Sequence, residues 1–524
     1  MKNPLLIFCF ALMFFSCAEK KEAKRIPLTT KSKEAAELYA KAIFHYDQLE
    51  TFEANQYFRK AIELDSNFAL AKIYYDNKLD PSSNRKRLIE AYNNRATLSE
   101  MESVIVATEY EQQINKDVLR ADLMIDSLIN KHPDYYELYL YSADIKNDLN
   151  KMDECLKRYK ETLDVNPNSY AAALSIPNLH SPSGSGNGKN RMLPIDKRDL
   201  NEAEKYFKIA EKIRPTAPAT SRMYGNLYRG KGELDKALEK YEESIKLNID
   251  KTSLLGLSYM MVGHVYLAKS EYEKSREYYK KSSEFYEKLN EKNGVSNFSD
   301  RVIITYLYEK KYDESILESN KELQRIDSLH DNEYNKNLLR AKVENLKFIT
   351  YGHSLKEEEA LASIKAINNY YAQTKSVDIQ KASDKNEILS IENTAKTIEL
   401  NYALYYNILF AHYEEAEKIL KEFETLSTSL LKKNPTAMED FYKVSGYLNL
   451  MEGKVNESIE FYNKVVKRLD EDPYNYYFFA LALKANGNKV DSDNIFKKVA
   501  NNNFVTWQCA IVKNLAKNQL NAGN

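Results

Sequence analysis

The chain reads as an all-α array of helix pairs, and three observations say so. Gly and Pro are scarce, 14 and 12 among 524 residues, against averages of roughly 7% and 5%. Few Gly and Pro mean few tight turns, which disfavours sandwiches and other loop-rich β folds. A small–aromatic–small code recurs, as in Ala237-Tyr241-Ser244, Ala203-Phe207-Ala210 and Ser275-Tyr279-Ser282. It also has a period, because Ala203 to Ala237 and Ser458 to Ser492 are each 34 residues apart. A repeat array has no upper size limit, whereas one globular core of this length would split into several domains.

The N-terminus reads as an address. Lys2 precedes an apolar run, Leu5–Phe15, which suits a secretory h-region and is too short to span a bilayer. The run ends Phe14-Phe15-Ser16-Cys17. A small residue before Cys at that place resembles the lipobox of bacterial lipoproteins, although Phe14 stands where Leu is commonest. The resemblance implies a signal peptide over 1–16 and a lipid on Cys17. The charged tract Ala18–Arg25 has little to bury and reads, within 17–34, as a solvated tether.

The array follows in three parts: 35–330, 331–400 and 401–503. In the first, Ala54, Cys155, Ala203, Ala237 and Ser275 anchor the code, with a small residue twelve positions earlier at Ala42, Ala143, Gly225 and Gly263. Two antiparallel helices explain this. Small residues let the backbones approach, and an aromatic at i+4 fills the space beside them, toward the next repeat. Gly232, Gly453 and Gly487 stand five residues before their anchors, where a left-handed residue ends a helix. The segment Pro177–Gly188 breaks the pattern and predicts a flexible insertion over about 180–197. Over 331–400 helical periodicity persists without the code. Ser458 and Ser492 restore it, and Val505–Leu520, within 504–524, reads as a capping helix and tail.

With these residues in view, the chain resembles tetratricopeptide repeat proteins over most of Thr29–Asn503, at about ten to twelve helix pairs. The resemblance implies a superhelical solenoid whose first helices line an inner groove. Arg222, Asn226 and Arg229 are spaced i, i+4, i+7 and share one such face. Met260 and His264 in the next repeat, and Arg301 beyond, would continue it. The Arg/Asn pair resembles groove residues with which some members clamp a peptide carboxylate. The clamp needs polar partners in the following repeats, so a generic polar groove is the plainer reading.

Chemistry is hard to find. No phosphate-binding loop, H-E-x-x-H or G-x-S-x-G occurs. No two of the seven His lie i, i+4 on one helix, so neither a metal site nor a catalytic residue is expected. A formal net charge of −1 removes the simple case for nucleic acid. Cys155 and Cys509 sit far apart in an open superhelix and predict no disulfide. The 40 Tyr read mainly as drift from Phe. Doublets such as Tyr370-Tyr371, Tyr405-Tyr406 and Tyr476-Tyr477 cannot both face one core, which leaves some Tyr for peptide or sugar contact.

The expected function is a non-enzymatic, lipid-anchored scaffold that binds a protein or peptide client without a cofactor. The expected place is the cell envelope of a Gram-negative bacterium, at its outer membrane. The alternative is a helical glycan-binding lipoprotein, disfavoured by a single Trp, Trp507.

Overall fold

The computed structural model describes residues 23–76, 81–181, 192–290, 292–382 and 384–522, without the side chains of 81, 82 and 292–299. Cys17 and the apolar run before it, and most of the insertion, lie outside the described residues. Among the described residues twenty-five α-helices follow one another: α1 Lys33–Asp47, α2 Thr51–Leu64, α3 Ala69–Tyr74, α4 Pro81–Asn93, α5 Glu100–Gln113, α6 Val118–Lys131, α7 Tyr136–Asp148, α8 Met152–Val165 and α9 Tyr170–His180. Next come α10 Leu200–Ile213, α11 Pro218–Gly230, α12 Leu234–Leu247, α13 Ser253–Ala268, α14 Tyr272–Lys288, α15 Lys292–Glu309, α16 Tyr312–Leu329 and α17 Glu333–His353. The last are α18 Glu357–Gln380, α19 Lys385–Leu409, α20 Tyr413–Leu430, α21 Glu439–Met451, α22 Val455–Asn463, α23 Pro473–Ala485, α24 Lys489–Ala500 and α25 Trp507–Asn521. There is no β-strand among the described residues. None of these helices is long and apolar enough to cross a membrane. The fold is an all-α, tetratricopeptide-like superhelical solenoid.

One turn geometry repeats along the chain. The glycines Gly232, Gly453 and Gly487 have φ of +79°, +79° and +81°, as their position before the anchors predicted. The same left-handed place, five residues before the buried anchor, is taken by Leu49, Lys116, Asn150, Ser270, Lys310, Leu355 and Ala411. A side chain in this region is strained, because Cβ crowds the following carbonyl. The hairpin imposes the conformation on residues that would not choose it.

The aromatic of the code packs both ways. It reaches the next repeat, as Tyr241 does in its cluster with Met260 and Met261 of α13 and Tyr462 does 5.5 Å from Phe479 of α23, and it also lies against the small residue of its own hairpin. A Cβ on Gly225 would lie 2.3 Å from the Tyr241 ring, and one on Gly446 would lie 2.8 Å from Tyr462. In the two C-terminal pairs the anchor Ser donates to the carbonyl of that same small residue: Ser458 to Gly446 at 2.7 Å, Ser492 to Ala480 at 2.8 Å.

The Tyr excess has a specific cause. The hydroxyls of Tyr159 and Tyr241 donate to Asp144 (3.0 Å) and Asn226 (2.8 Å), and that of Tyr279 shares a hydrogen bond with His264 (2.7 Å). Each partner stands fifteen residues before its Tyr. Where the aromatic is Phe58 or Phe496, the equivalent residue is the apolar Ile43 or Leu481. At these three positions Tyr satisfies a polar group on the first helix, which left without a bond would cost about 1–3 kcal/mol; Tyr462 instead donates to Asn475 of the next repeat at 3.4 Å. The doublet argument also needs correction: Tyr476 and Tyr477 are both buried. Helix α23 lies between α21, α24 and α25 and has no single core side.

The superhelix is not open. Thr252 and Ser253 at the start of α13 donate to Glu50 and Glu53 beside α2, at 3.0 and 2.7 Å or less. Arg85 of α4 pairs with the buried Glu387 of α19, and Arg198 with Asp470. Asn150 donates to Glu439 at 3.2 Å. Early repeats therefore rest on late ones. Helix α25 packs on α24 and also folds back against α15 and α17 in the middle of the array.

Two segments read as flexible are fixed where they are described. The tether ends by Lys24, which pairs with Asp134 at 2.9 Å, and the Ile26 amide donates to Glu137 at 2.7 Å. The insertion begins later than expected. Pro177–His180 is helical, in the last turn of α9. His180, Ser181 and Leu193 are buried, and the Leu193 amide donates to the Leu179 carbonyl at 2.8 Å. The two ends of the insertion are clasped together, so 180–181 and 192–197 belong to the packed body. Over 331–400 the hairpin logic continues in longer helices: Ala360, Ile364 and Ile367 are buried at the code positions, and Leu355 supplies the turn with φ +59°.

Candidate functional site: the inner groove and an aromatic cavity

The groove is lined by first helices because the second helix of each hairpin turns its Lys/Glu face outward. Arg222, Asn226 and Arg229 lie on α11, Met260 and His264 on α13, and Arg301 on α15. Five of the six are buried, with Arg229 0% exposed, and Arg301 is half-buried. Their roles differ from one another. Asn226 and His264 serve Tyr241 and Tyr279. Burial holds the His264 imidazole well below its ordinary pKa, and the charges of Arg229 and Arg301 push the same way. It is neutral and structural. Met260 belongs to the cluster around Tyr241 and Tyr279.

The arginines are different. None of Arg222, Arg229 and Arg301 has a carboxylate partner among the described residues. The Nε and both Nη atoms of Arg229 are buried without a hydrogen bond, as is Nε of Arg222 and of Arg301. Burial also pulls the Arg222 guanidinium below its usual pKa. A buried guanidinium without a partner is among the costliest groups a protein can hold.

What fills the groove is the chain itself. The non-helical strap Asn501–Thr506 joins α24 to α25 and lies across α11, α13 and α15. Asn503 Nδ2 donates to the Arg229 carbonyl at 3.2 Å, and the Phe504 ring lies 5.6 Å below the Arg229 guanidinium. Arg301 Nη1 donates to the Val505 carbonyl at 3.0 Å, and the Tyr308 hydroxyl to the Phe504 carbonyl at 2.9 Å. Lys513 closes the strap from behind, donating to the Asn502 carbonyl at 2.8 Å. Val505, Cys509 and Ala510 complete a core with Leu267, Ile303 and Phe348. The groove holds an extended segment by its main chain.

Sequence reasoning missed a second feature. Where α17 and α19 meet α23 and α25, a cavity of about 300 Å³ opens. Its walls carry Phe348, Tyr371, Tyr402, Tyr405, Tyr474 and Trp507, with Asn345, His353, Asn401, Asp472 and Gln508 between them. The signals were present: two Tyr doublets and the lone Trp all contribute. They are far apart in sequence, and only the fold-back of α25 joins them. No cluster of groups that could hold a metal ion occurs among the described residues.

No family model matches the chain, and no curated protein matches it in sequence. Solved structures align with it. The Rap protein complexed with Competence and Sporulation Factor is 13% identical, covering 77% of this chain and 100% of its own, with a TM-score of 0.39. A tetratricopeptide repeat protein from Parabacteroides merdae is 12% identical over 70% and 99%, at 0.27. The APC/C hetero-tetramer Cut9–Hcn1 is 14% identical over 88% and 76%, at 0.36. Overlap at these scores fixes neither ligand nor partner for this chain.

Proposed function

We propose that this solenoid is a non-enzymatic scaffold that holds an extended segment of a client protein in the groove of α11, α13 and α15. The strap carries the reading: the groove already accepts an extended backbone through Arg301 and Tyr308. The strap leaves Arg229 unpaired, and Asn501–Ala510 contains no acidic residue. A client segment bearing a carboxylate would pair with that guanidinium and compete with the strap. Charge-assisted bonds of this kind are roughly twice as strong as neutral ones. Selection of extended peptides from a random library tests this. The expected result is enrichment of Asp/Glu-containing peptides that is lost in Arg229→Gln and weakened in Arg301→Ala. Enrichment indifferent to both variants would reject the groove as the site.

The scaffold acts, on this reading, in the envelope of a Gram-negative bacterium, with the mature chain anchored at the outer membrane by lipid on Cys17. The apolar run Leu5–Phe15 and Ser16-Cys17 support it. Two or three acyl chains give stable attachment where one is marginal. Cys17→Ala is expected to move the protein from the membrane to the soluble fraction; a variant that still sediments with membranes would remove the lipid as anchor.

A further inference from the structure

The cavity between α17, α19, α23 and α25 has a chemistry of its own, independent of the groove. Apart from Asp472, its polar edge is uncharged. The side chains of Asn345, Asn401 and Gln508 and the Tyr402 hydroxyl make no hydrogen bond within the described residues. His353 Nε2 is buried without a partner. The one carboxylate, Asp472, is engaged as the N-cap of α23: it accepts from the Asn475 amide at 3.2 Å and from Asn475 Nδ2 at 2.9 Å, with Lys443 3.9 Å away. Burial holds His353 down at about 4, so its imidazole is neutral near pH 7.

This set selects by exclusion. A phosphate or carboxylate finds no free cation there. An ammonium finds no free carboxylate. A purely apolar ligand would cut three half-buried amides off from water without bonding them and leave the imidazole unpaired, at a cost. A neutral molecule with hydrogen-bonding groups on its edge and apolar faces satisfies all of them. The wall rings settle its shape. Tyr405–Tyr474, Tyr474–Trp507, His353–Tyr474 and Phe348–Tyr402 are inclined at 62°, 56°, 70° and 80°. These contacting rings meet at steep angles, so the wall presents single aromatic faces in several directions. A puckered ring needs only one aromatic face for its C–H side. A cavity of about 300 Å³ stands at the lower end of ligand pockets, which run from roughly 300 to 1,000 Å³. It holds one ring.

We propose that this cavity is a binding site for a single neutral sugar ring, stacked on an aromatic wall and held by Asn345, Asn401, Gln508 and His353. The lone Trp, too few by count to suggest a carbohydrate site, stands in the wall itself.

That Trp makes the test direct, because Trp507 is the only one in the chain and its fluorescence reports this cavity alone. The intact protein is titrated with glucose, galactose, mannose and N-acetylglucosamine, and with adenine and caffeine as flat-ring controls. Binding is confirmed by calorimetry. The expected result is a saturable change with at least one sugar and with neither control. Asn401→Ala and Gln508→Ala should each weaken it about tenfold or more, the effect of losing ~1.4 kcal/mol, with far-UV circular dichroism unchanged. Response to the flat-ring controls alone overturns the sugar assignment. Sugar binding untouched by both variants places it elsewhere and overturns the site. No response to any compound, with both variants folded, overturns the proposal.

Discussion

The repeats from α11 to α14 and the long helices α17 to α19 solve the same packing problem differently. In the first region the helices are 13 to 17 residues long, and Gly225 and Gly263 let Tyr241 and Tyr279 lie against backbone. The hydroxyls of Tyr241, Ser244, Tyr279 and Ser282 there each meet a partner. In the second region the helices are 21 to 25 residues long, the small residues thin out, and the longer ends outrun their neighbours. A cavity remains, and its amides face inward without partners. Tight coding produces a closed wall, and relaxed coding leaves a chamber. The groove in the first region is then filled from outside, by the strap.

The largest test of that contrast is overpacking. Gly225→Leu would drive a side chain into the Tyr241 ring and is expected to cost about 3 kcal/mol or more, at the upper end for added methylenes in a filled core. Denaturant titration measures it. The matched change at Gly352, where a Cβ would meet only Leu409 Cδ1 at 3.0 Å, should cost clearly less. Equal costs would erase the distinction.

Arg229 comes next. Arg229→Met removes a buried charge that nothing pairs and keeps much of the side-chain volume. Stability should rise by about 1–3 kcal/mol, in line with hydrophobic replacement of buried ionic groups, while peptide binding falls. A destabilised variant would show that the guanidinium has a partner in solution.

The hydroxyls give a paired comparison. Tyr241→Phe leaves the buried Asn226 carbonyl oxygen without its donor and should cost about 1–3 kcal/mol. Tyr402→Phe removes a hydroxyl that meets only the cavity and should change stability by less than ~0.5 kcal/mol.

The smallest effect is at the turns. Leu355→Gly relieves a left-handed Leu that is 79% exposed and should gain up to ~1 kcal/mol, while Gly232→Ala at φ +79° should lose a similar amount. A loss at both sites would mean that backbone entropy outweighs turn strain.

How much of this was legible follows from the physics of each signal. Gly232, Gly453 and Gly487 marked their turns because glycine is the residue for left-handed backbone. Leu49, Lys116 and Leu355 hold the same conformation unannounced, since tertiary packing forces it on them. Ala360 was missed as an anchor because Ile364, not an aromatic, follows it. The inward face of Arg222, Asn226 and Arg229 was readable from helical spacing. The division of labour among them was not, because it depends on Tyr241 reaching Asn226 and on the strap reaching Arg229. Closure of the superhelix was invisible for a simpler reason. It rests on pairs such as Arg85–Glu387 and Arg198–Asp470, 302 and 272 residues apart, and each looks like ordinary surface charge in sequence.

The central claim is that the array curls until its own strap occupies its groove. Cysteine-directed crosslinking tests it most directly. Gly230, the last residue of α11, and Asn501, the first of the strap, are both exposed. The native Cys155 and Cys509 are buried, and burial pushes the Cys509 thiol up to about 11, so neither competes. In the double variant Gly230→Cys, Asn501→Cys, a short bis-maleimide should join the two positions within one molecule in high yield, and mass spectrometry of the monomer should show the linked peptides. An open solenoid would hold them apart, and a monomer that stays unlinked under conditions that modify both thiols would contradict the account.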